Sequence, residues 1–297
     1  MVLEKWIVTG PKVIDIELVR SVKVGLIGGQ IDIIGHDEPG ARIEVHSVAG
    51  KDLKVSIDGD RLEIDHPQLR WDNFIEVFKS WRGNAKADIS ILVPRDAALK
   101  FGVISASALI SGLTTDARVS TVNGAVVIDA VTGDLEVNTV SGEVSIRDHT
   151  GLVSAHTVSG DITAQGALRR FSADGVSGEV FVDTTGTPDE IQNNTVSGDL
   201  TVRLDGDVAA RYNVNSVSGT LQLGSSTIKG LRGGGYNGHT GALDGSWTEF
   251  RANSVSGDIS VVFRDAAPEA HDDRAGAASA PTSAPAQAPS FDEGASA

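Results

Sequence analysis

The sequence predicts an all-β protein built as a β-solenoid, in which the chain winds into stacked coils, and three observations support this prediction. An eight-residue phrase of the form TVSGEVSI recurs through the second half of the chain. The spacing between its copies is nearly constant, which is typical of a repeat architecture. Apolar and polar residues alternate around each copy, as in half-buried strands. A strand-rich beginning and a polar, Ala/Pro/Ser-rich end flank the repeats.

The repeat is defined by the central glycine of the phrase, and its spacing favours coils over hairpins. After Gly142 the strong phrase returns every 18 to 21 residues, whereas earlier copies are nine residues apart. A meander of hairpins would show the strong phrase at every nine-residue step, so two short strands per coil explain the spacing better. The last gap is about twice as long as the others and predicts two coil steps. The glycines are Gly124, Gly133, Gly142, Gly160, Gly178, Gly198, Gly219 and Gly257.

Strand alternation predicts which side chains of the phrase point inward. Successive residues of a strand face opposite sides, so valines two apart share one face. Two inner ladders are expected, and Val158→Asp is expected to unfold the protein, whereas Ser159→Ala should be nearly silent. The first ladder comprises Val140, Val158, Val176 and Val196, and the second comprises Val144, Ile162, Val180 and Leu200.

Three regions are predicted along the chain. Residues 1–102 form a strand-rich region that covers one end of the stack, since bare ends of repeat arrays need a cap. Within it a short helix near 71–82 would place Trp71 and three other aromatic residues on one face. That face either caps the sheet or forms a patch for a partner or membrane interface. Residues 103–264 form the solenoid, and residues 265–297 are predicted to be disordered.

Composition excludes several classes of function. The net charge of -15 argues against nucleic-acid binding, which needs a positive surface. The absence of cysteine excludes disulfides and thiolate metal sites. No signal-like segment and no apolar run near the ~18 residues of a membrane helix is present, so direct membrane insertion is not expected. A cytoplasmic location is expected, with peripheral membrane association left open.

No catalytic residue, cofactor site or metal site is predicted. The sequence contains neither an HExxH nor a GxSxG motif. The acidic residues that follow the phrase glycines would stack in a column, which is either a calcium site or, as we favour, a solvated surface. They are Asp134, Glu143, Asp161, Glu179, Asp199 and Asp258. The histidines, which show no metal-ligand spacing, are His36, His46, His66, His149, His156, His239 and His271.

The phrases TVSGEVSI, TVSGDITA, TVSGDLTV and SVSGDISV resemble those of the bacterial family of putative adhesins, also described as toast-rack domains. The segment ISILVPRDAAL at residues 89–99, which precedes the repeats, is similar too. The resemblance covers most of residues 1–264. It implies an all-β repeat domain without known catalytic residues. It also implies similarity to domains that occur beside membrane-linked regulators of envelope stress.

The expected function is that of a non-enzymatic β-repeat scaffold that presents a polar surface to a protein or glycan partner. The alternative is a polysaccharide-active or polysaccharide-binding β-helix protein, because such folds carry carboxylates along one groove. The repeat region contains few of the aromatic and basic residues that sugar-cleaving sites use beside their acids. The sequence therefore favours binding without turnover.

Overall fold

The structure is a computed structural model that describes residues 3–66, 85–228 and 235–264. Every secondary-structure element in these ranges is a β-strand. The described residues contain no helix that is long and apolar enough to cross a membrane. The chain divides into two units, Met1–Asp265 and Ala266–Ala297, of which only the first contains described residues. The helix predicted near 71–82 and the disordered segment predicted at 265–297 both lie outside the described residues. The all-β class is confirmed.

The strands form one continuous hydrogen-bonded sheet. Their bounds are β1 Leu3–Val8, β2 Lys12–Ile16, β3 Ser21–His36, β4 Ala41–Ala49, β5 Leu53–Asp58, β6 Arg61–Asp65, β7 Lys86–Pro94, β8 Ala98–Ser111, β9 Ala117–Thr121, β10 Val126–Asp129, β11 Thr132–Thr139, β12 Val144–Thr157, β13 Ile162–Gly175, β14 Val180–Thr184, β15 Glu190–Thr195, β16 Leu200–Asp205, β17 Ala210–Ser216, β18 Leu221–Leu223, β19 Ser226–Ile228, β20 Gly235–Thr240, β21 Thr248–Ser254 and β22 Ile259–Arg264.

The repeat strands pair in parallel, one coil above the next. Val126 lies opposite Val144, and Val144 lies opposite Ile162. The next step places Ile162 opposite Val180. These three steps advance by the same length of chain, so equivalent positions of the phrase stack directly over each other. Parallel neighbours cannot be joined by tight hairpins, so this pairing confirms the winding chain and excludes the meander for these strands.

Each coil contributes one strand to each of two faces, which enclose the core. Face 1 contains β10, the first part of β12 and β13, then β14, β16, β22 and β18. Face 2 contains β9, β11, the second part of β12 and β13, then β15, β21 and β17. The phrase TVSG forms the turn from face 2 to face 1, which is here called the valine corner.

The second predicted ladder forms the inner lining of face 1. Val144, Ile162 and Leu200 are at most 1% exposed, and they pack in the main hydrophobic core. Larger aromatic side chains such as Phe171 and Phe250 are buried on face 2. The prediction of this ladder is confirmed.

The first predicted ladder is wrong. Val158, Val176 and Val196 do stack, but each is about half exposed, with 50%, 50% and 48% of its surface accessible. The inward position is taken by Thr157, which is only 7% exposed. Strict alternation fails because the chain turns within the phrase, so Val158 and Ser159 both face outward before the glycine returns inward. The parity rule holds only along a continuous strand.

Substitutions at two neighbouring positions test this assignment. Val158→Asp should change the free energy of unfolding by less than about 0.5 kcal/mol, because the side chain lies on the surface. Ile162→Asp should prevent folding, because it places an unpaired carboxylate in the core. Circular dichroism and urea titration of both variants provide the measurement. Unfolding by Val158→Asp, as first expected from the sequence, would contradict the outward placement.

The last coils do not stack in the order of the sequence. β21 lies between β15 and β17, because Gln192 is opposite Arg251 and Arg251 is opposite Asn213. On face 1, β22 likewise lies between β16 and β18. The chain therefore skips one layer after β16, builds the outer coil, and returns to fill the vacant layer. The long last gap between phrase glycines reflects this return, which corrects the interpretation of two successive coil steps.

Antiparallel strands end the stack on both sides. β3 pairs with β8 on its inner side and with β6 and β7 on its outer side, and β5, β1, β4 and β2 follow as antiparallel neighbours. At the far end β20 and β19 are antiparallel to β17 and β18. The predicted boundary between residues 102 and 103 falls inside β8, so the winding begins before it.

Candidate functional site

The valine corner is held together by its own hydroxyl groups. The buried Thr157 Oγ1 accepts a hydrogen bond from the Gly160 N–H at 2.8 Å and donates to the Gly160 carbonyl oxygen at 2.8 Å. Thr139 makes the same pair of contacts with Gly142, at 3.1 and 3.0 Å. Each hydroxyl thereby satisfies two backbone groups that the turn leaves unpaired.

The other polar side chains of the phrase link one coil to the next. Ser159 Oγ donates to the carbonyl oxygen of Val140 at 3.1 Å. The Asp161 carboxylate accepts the backbone N–H of Glu179 at 2.8 Å. Each such bond stabilises the stack by roughly 1 kcal/mol. The threonine, serine, glycine and acidic positions of the phrase therefore all have structural contacts.

The predicted acidic column is only partly as expected. Asp161, Asp199 and Asp258 follow the valine corner and lie above one another, and Asp199 accepts the backbone N–H of Asp258 at 2.8 Å. Asp134 does not belong to this column, because Gly133 pairs with Gly151 at the opposite corner. Within the described ranges no three acidic or histidine side chains are close enough together to hold a metal ion. The carboxylates instead accept backbone N–H groups.

The valines of the corner form an apolar strip along the stack, here called the valine ridge. Its members are 48 to 55% exposed. Five coils at a separation of ~4.8 Å give the ridge a length of roughly 19 Å. Towards the first coils the same position is covered, because Val122 and Val140 pack against Ile27, Ala85 and Ile104. In stack order the ridge comprises Val158, Val176, Val196, Val255 and Val217.

A row of polar side chains runs parallel to the ridge on face 2, at the position just before the phrase. Register places its members directly above one another; in stack order this polar row comprises Asn138, His156, Asp174, Asn194, Asn253 and Asn215. Asn215 donates to Asn253 at 3.0 Å, and Asn253 donates to Asn194 at 2.7 Å. Asn194 donates to the Asp174 carboxylate at 2.7 Å, and His156 Nδ1 is 3.6 Å from that carboxylate.

The surface between the valine ridge and the polar row is here called the groove, and a cavity is recessed into it at each end of the stack. At one end lies a cavity of about 420 Å³, lined by Asn138, His156 and Val158 among others. At the other end lies a cavity of about 330 Å³, between Asn253 and Val255. One wall of the groove is therefore apolar, and the other is polar and consists mainly of amides. Its charged groups are the Asp174 carboxylate and, at the first cavity, Lys100 and Arg118.

A larger depression of about 740 Å³ lies beside the groove on face 2. It contains charged side chains of both signs, including Arg118 and Glu136, which form an ion pair at 2.5 Å. Its position on Leu135 and Val153 places it over the middle of face 2. The balance of charge gives no preference for an anionic or a cationic ligand.

An ion cluster on face 1 has a structural role. The Asp183 carboxylate is bound by both Arg203 and Arg264, and Arg264 also contacts Asp205. Hydrogen bonding from Arg203 lowers the pKa of Asp183 despite its burial. The cluster joins β14, β16 and β22, so it fastens the returning last coil to the layers before it.

Two histidines are buried rather than placed at a site. His66 is 1% exposed, its Nδ1 accepts the Ile27 N–H at 3.4 Å, and burial lowers its pKa to about 4. His149 is fully buried, and its Nε2–H donates to the Leu152 carbonyl oxygen at 3.3 Å. Burial lowers the pKa of His149 as well. His271 lies outside the described residues.

The buried His66 makes stability depend on pH. The folded state holds this ring neutral down to a pH of about 4, whereas an unfolded histidine takes up a proton near pH 6.5. Stability should therefore fall as the pH decreases from about 6.5 towards 4, by up to about 3 kcal/mol from this group. Urea titrations at pH 7.5 and 5 measure the slope. His66→Asn should flatten it, His46→Asn should not, and an unchanged slope in His66→Asn would contradict the assignment.

Sequence reasoning did not identify the groove, although a signal for it is present. The residue just before each phrase is nearly always polar and small, as in Asn138, Asn194 and Asn253. The valine at the second position of the phrase is invariant among the stacked copies. The alternation rule placed those valines in the interior, so the ridge was not predicted.

A family model identifies the sequence family of the chain. The sequence matches the family model described as Toastrack DUF4097 over residues 28–262. The chain belongs to the Toastrack family. The resemblance predicted from the phrases is thereby confirmed for this Toastrack protein. No curated protein matches the sequence.

Several solved structures are similar to this Toastrack protein at low identity. A putative adhesin from Bacteroides fragilis is 13% identical, with coverage of 85% of this chain and 97% of that chain and a TM-score of 0.46. A putative lipid binding protein from Parabacteroides distasonis is 14% identical, with the same coverages and TM-score. A putative adhesin from Parabacteroides distasonis is 14% identical, with coverages of 88% and 97% and a TM-score of 0.44. Likeness at this level does not indicate what the Toastrack protein binds.

Proposed function

We propose that this Toastrack protein is a non-enzymatic interaction scaffold that binds a partner along the groove between the valine ridge and the polar row. The observation that supports the proposal is the exposure of the phrase valine along the ridge. Every other position of the phrase makes contacts that hold the coils together, as Thr157, Ser159 and Gly160 show. The valine contributes only its backbone groups to such contacts, yet its side chain stays about half exposed in all five coils of the ridge.

The size of the ridge indicates the shape of the partner. Five half-exposed valines present an apolar strip of a few hundred Å², the scale at which exposed patches on monomers are often functional. A stable interface between two globular proteins buries about 800 Å² on each side, which is more than the ridge offers. A narrow, elongated partner lying along the stack fits this surface better than a second globular domain.

The composition of the groove supports binding without turnover. Enzymes that cleave glycosidic bonds use a pair of carboxyl groups on either side of the bond. In the described part of the polar row, Asp174 is the one carboxylate, and it accepts the amide of Asn194. The polysaccharide-cleaving alternative therefore lacks its second acid along this groove.

Binding to two libraries, one of linear oligosaccharides and one of extended peptides, tests the proposal. Ligands that bind the protein should lose at least about tenfold in affinity when Val176→Arg and Val196→Arg are combined, because two charged side chains then line the apolar wall. Val262→Arg is the matched control, since Val262 is 40% exposed on face 1. Equal binding by the groove variant and the wild type would contradict the proposal, as would the absence of ligands in both libraries.

A further inference from the structure

We infer that the groove binds a linear, uncharged glycan, with about one sugar residue lying over each coil. This inference rests on the proposed function and specifies the class of partner. Three properties of the groove support it: the amide-rich hydrogen-bonding chemistry of the polar row, the apolar opposite wall, and the repeat distance between coils.

The polar row presents groups that match hydroxyls. A side-chain amide offers two N–H donors and an acceptor oxygen with two lone pairs. Asn253 and Asn194 each use one N–H donor and one acceptor lone pair towards their neighbours in the row, which leaves each a second N–H and a second lone pair for a ligand. A sugar hydroxyl is both donor and acceptor, so it can pair with either group. The single carboxylate of the row, Asp174, disfavours anionic ligands, and Arg118 at the first cavity is already paired with Glu136.

The opposite wall complements the other side of a sugar. A pyranose ring carries hydroxyls on its edge and C–H groups on its faces. The valine methyl groups of Val176, Val196 and Val255 lie across the groove from the amides and expose about half of their surface. A sugar chain lying in the groove could direct hydroxyls to the polar row and C–H groups to the ridge. Such methyl contacts are individually small, so affinity should accumulate over many sugars.

The repeat distance distinguishes a glycan from a peptide. Coils are separated by ~4.8 Å, whereas an extended peptide rises ~3.3 Å per residue. Successive residues of a peptide would therefore meet successive coils out of register. One sugar residue of an extended β-linked chain is close in length to the coil separation, so the same contact can recur at every coil. From Val158 to Val217 the exposed ridge spans five coils, which sets the number of sugars that can be held.

Calorimetric titration with neutral β-linked oligosaccharides tests the inference. The probes are gluco-, manno- and N-acetylglucosamine oligomers of two to eight sugars, with oligogalacturonate as the acidic comparison. For at least one neutral series, affinity should rise with length and level off near five sugars, the number of coils in the exposed ridge. Asn253→Ala should weaken binding by about tenfold, and Val196→Thr should weaken it too while keeping the branched shape of the side chain. Gln222→Ala on face 1 is the matched control and should bind like the wild type.

The possible results separate the inference from the proposed function. Peptide ligands that depend on Val176 and Val196, without any neutral glycan, would overturn the glycan assignment and leave the groove as the binding site. Glycan binding that Asn253→Ala and Val196→Thr leave unchanged would place the sugar elsewhere and overturn the inference. Stronger binding of the acidic oligomer than of every neutral series would also overturn it. Absence of both glycan and peptide ligands would overturn inference and proposed function together.

Discussion

Gly160→Val is expected to abolish folding of the solenoid. A Cβ atom at Gly160 would overlap the carbonyl oxygen of Gly142 in the coil before it, and it would approach the Thr139 side chain to 3.1 Å. The overlapping atom is backbone, so no rotamer change can relieve it. The two coils would have to separate, which breaks the backbone and hydroxyl hydrogen bonds at the corner.

The expected loss exceeds about 4 kcal/mol, the range reached by substitutions with a specific structural cause. Circular dichroism, thermal melting and light scattering of the purified variant measure it. Gly245→Val is the matched control, because a Cβ at Gly245 meets nothing within 4 Å. A folded Gly160→Val protein with a melting temperature near that of the wild type would show that the corner is looser than the stacking of Gly142 and Gly160 indicates.

Removal of the last coil is expected to release the coil that precedes it in sequence. A chain that ends at residue 247 lacks β21 and β22, which lie between β15 and β17 and between β16 and β18. Without them β17 and β18 have no parallel neighbour, and the buried Phe250 and Ile259 no longer fill the core. The contact between the Tyr212 and Phe250 rings, at 5.5 Å, is lost as well.

Hydrogen exchange measured by mass spectrometry separates the possible outcomes. Compared with a chain that ends at residue 264, the shorter chain should lose protection at residues 210–223 and retain it at 117–184. This pattern follows because each coil is stabilised mainly by its immediate neighbours. Full protection of 210–223 in the shorter chain would mean that β17 and β18 can pair directly with β15 and β16. In that case the inserted coil would not be required for the outer coil.

The period of the phrase was enough to predict the direction of strand pairing. Copies that recur at a nearly constant spacing can overlie each other only if the chain returns to the same place after each coil, and the pairing of Val144 with Ile162 confirms this. The inner ladder of face 1 was predictable for the same reason, because it lies on an uninterrupted strand where alternation holds.

The groove was not predictable in this way, because its walls are set by the corner. A turn shifts the alternation, so Val158 lies outside although it shares parity with Ile162. The polar row also depends on a stacking order of the coils that differs from their order in the sequence. Asn253 lies between Asn194 and Asn215 only because the last coil returns to the skipped layer.

The sequence by itself determined that this protein is an all-β solenoid with a regular repeat of two short strands per coil and an aliphatic interior. Those properties follow from the spacing between copies of the phrase and from the residue types in each copy, which can be seen within one or two coils. Only the tertiary structure decided which side of the corner the valines occupy and in which order the last coils stack. Both depend on the path of the backbone through turns and on contacts between coils distant in sequence, which a local pattern does not specify.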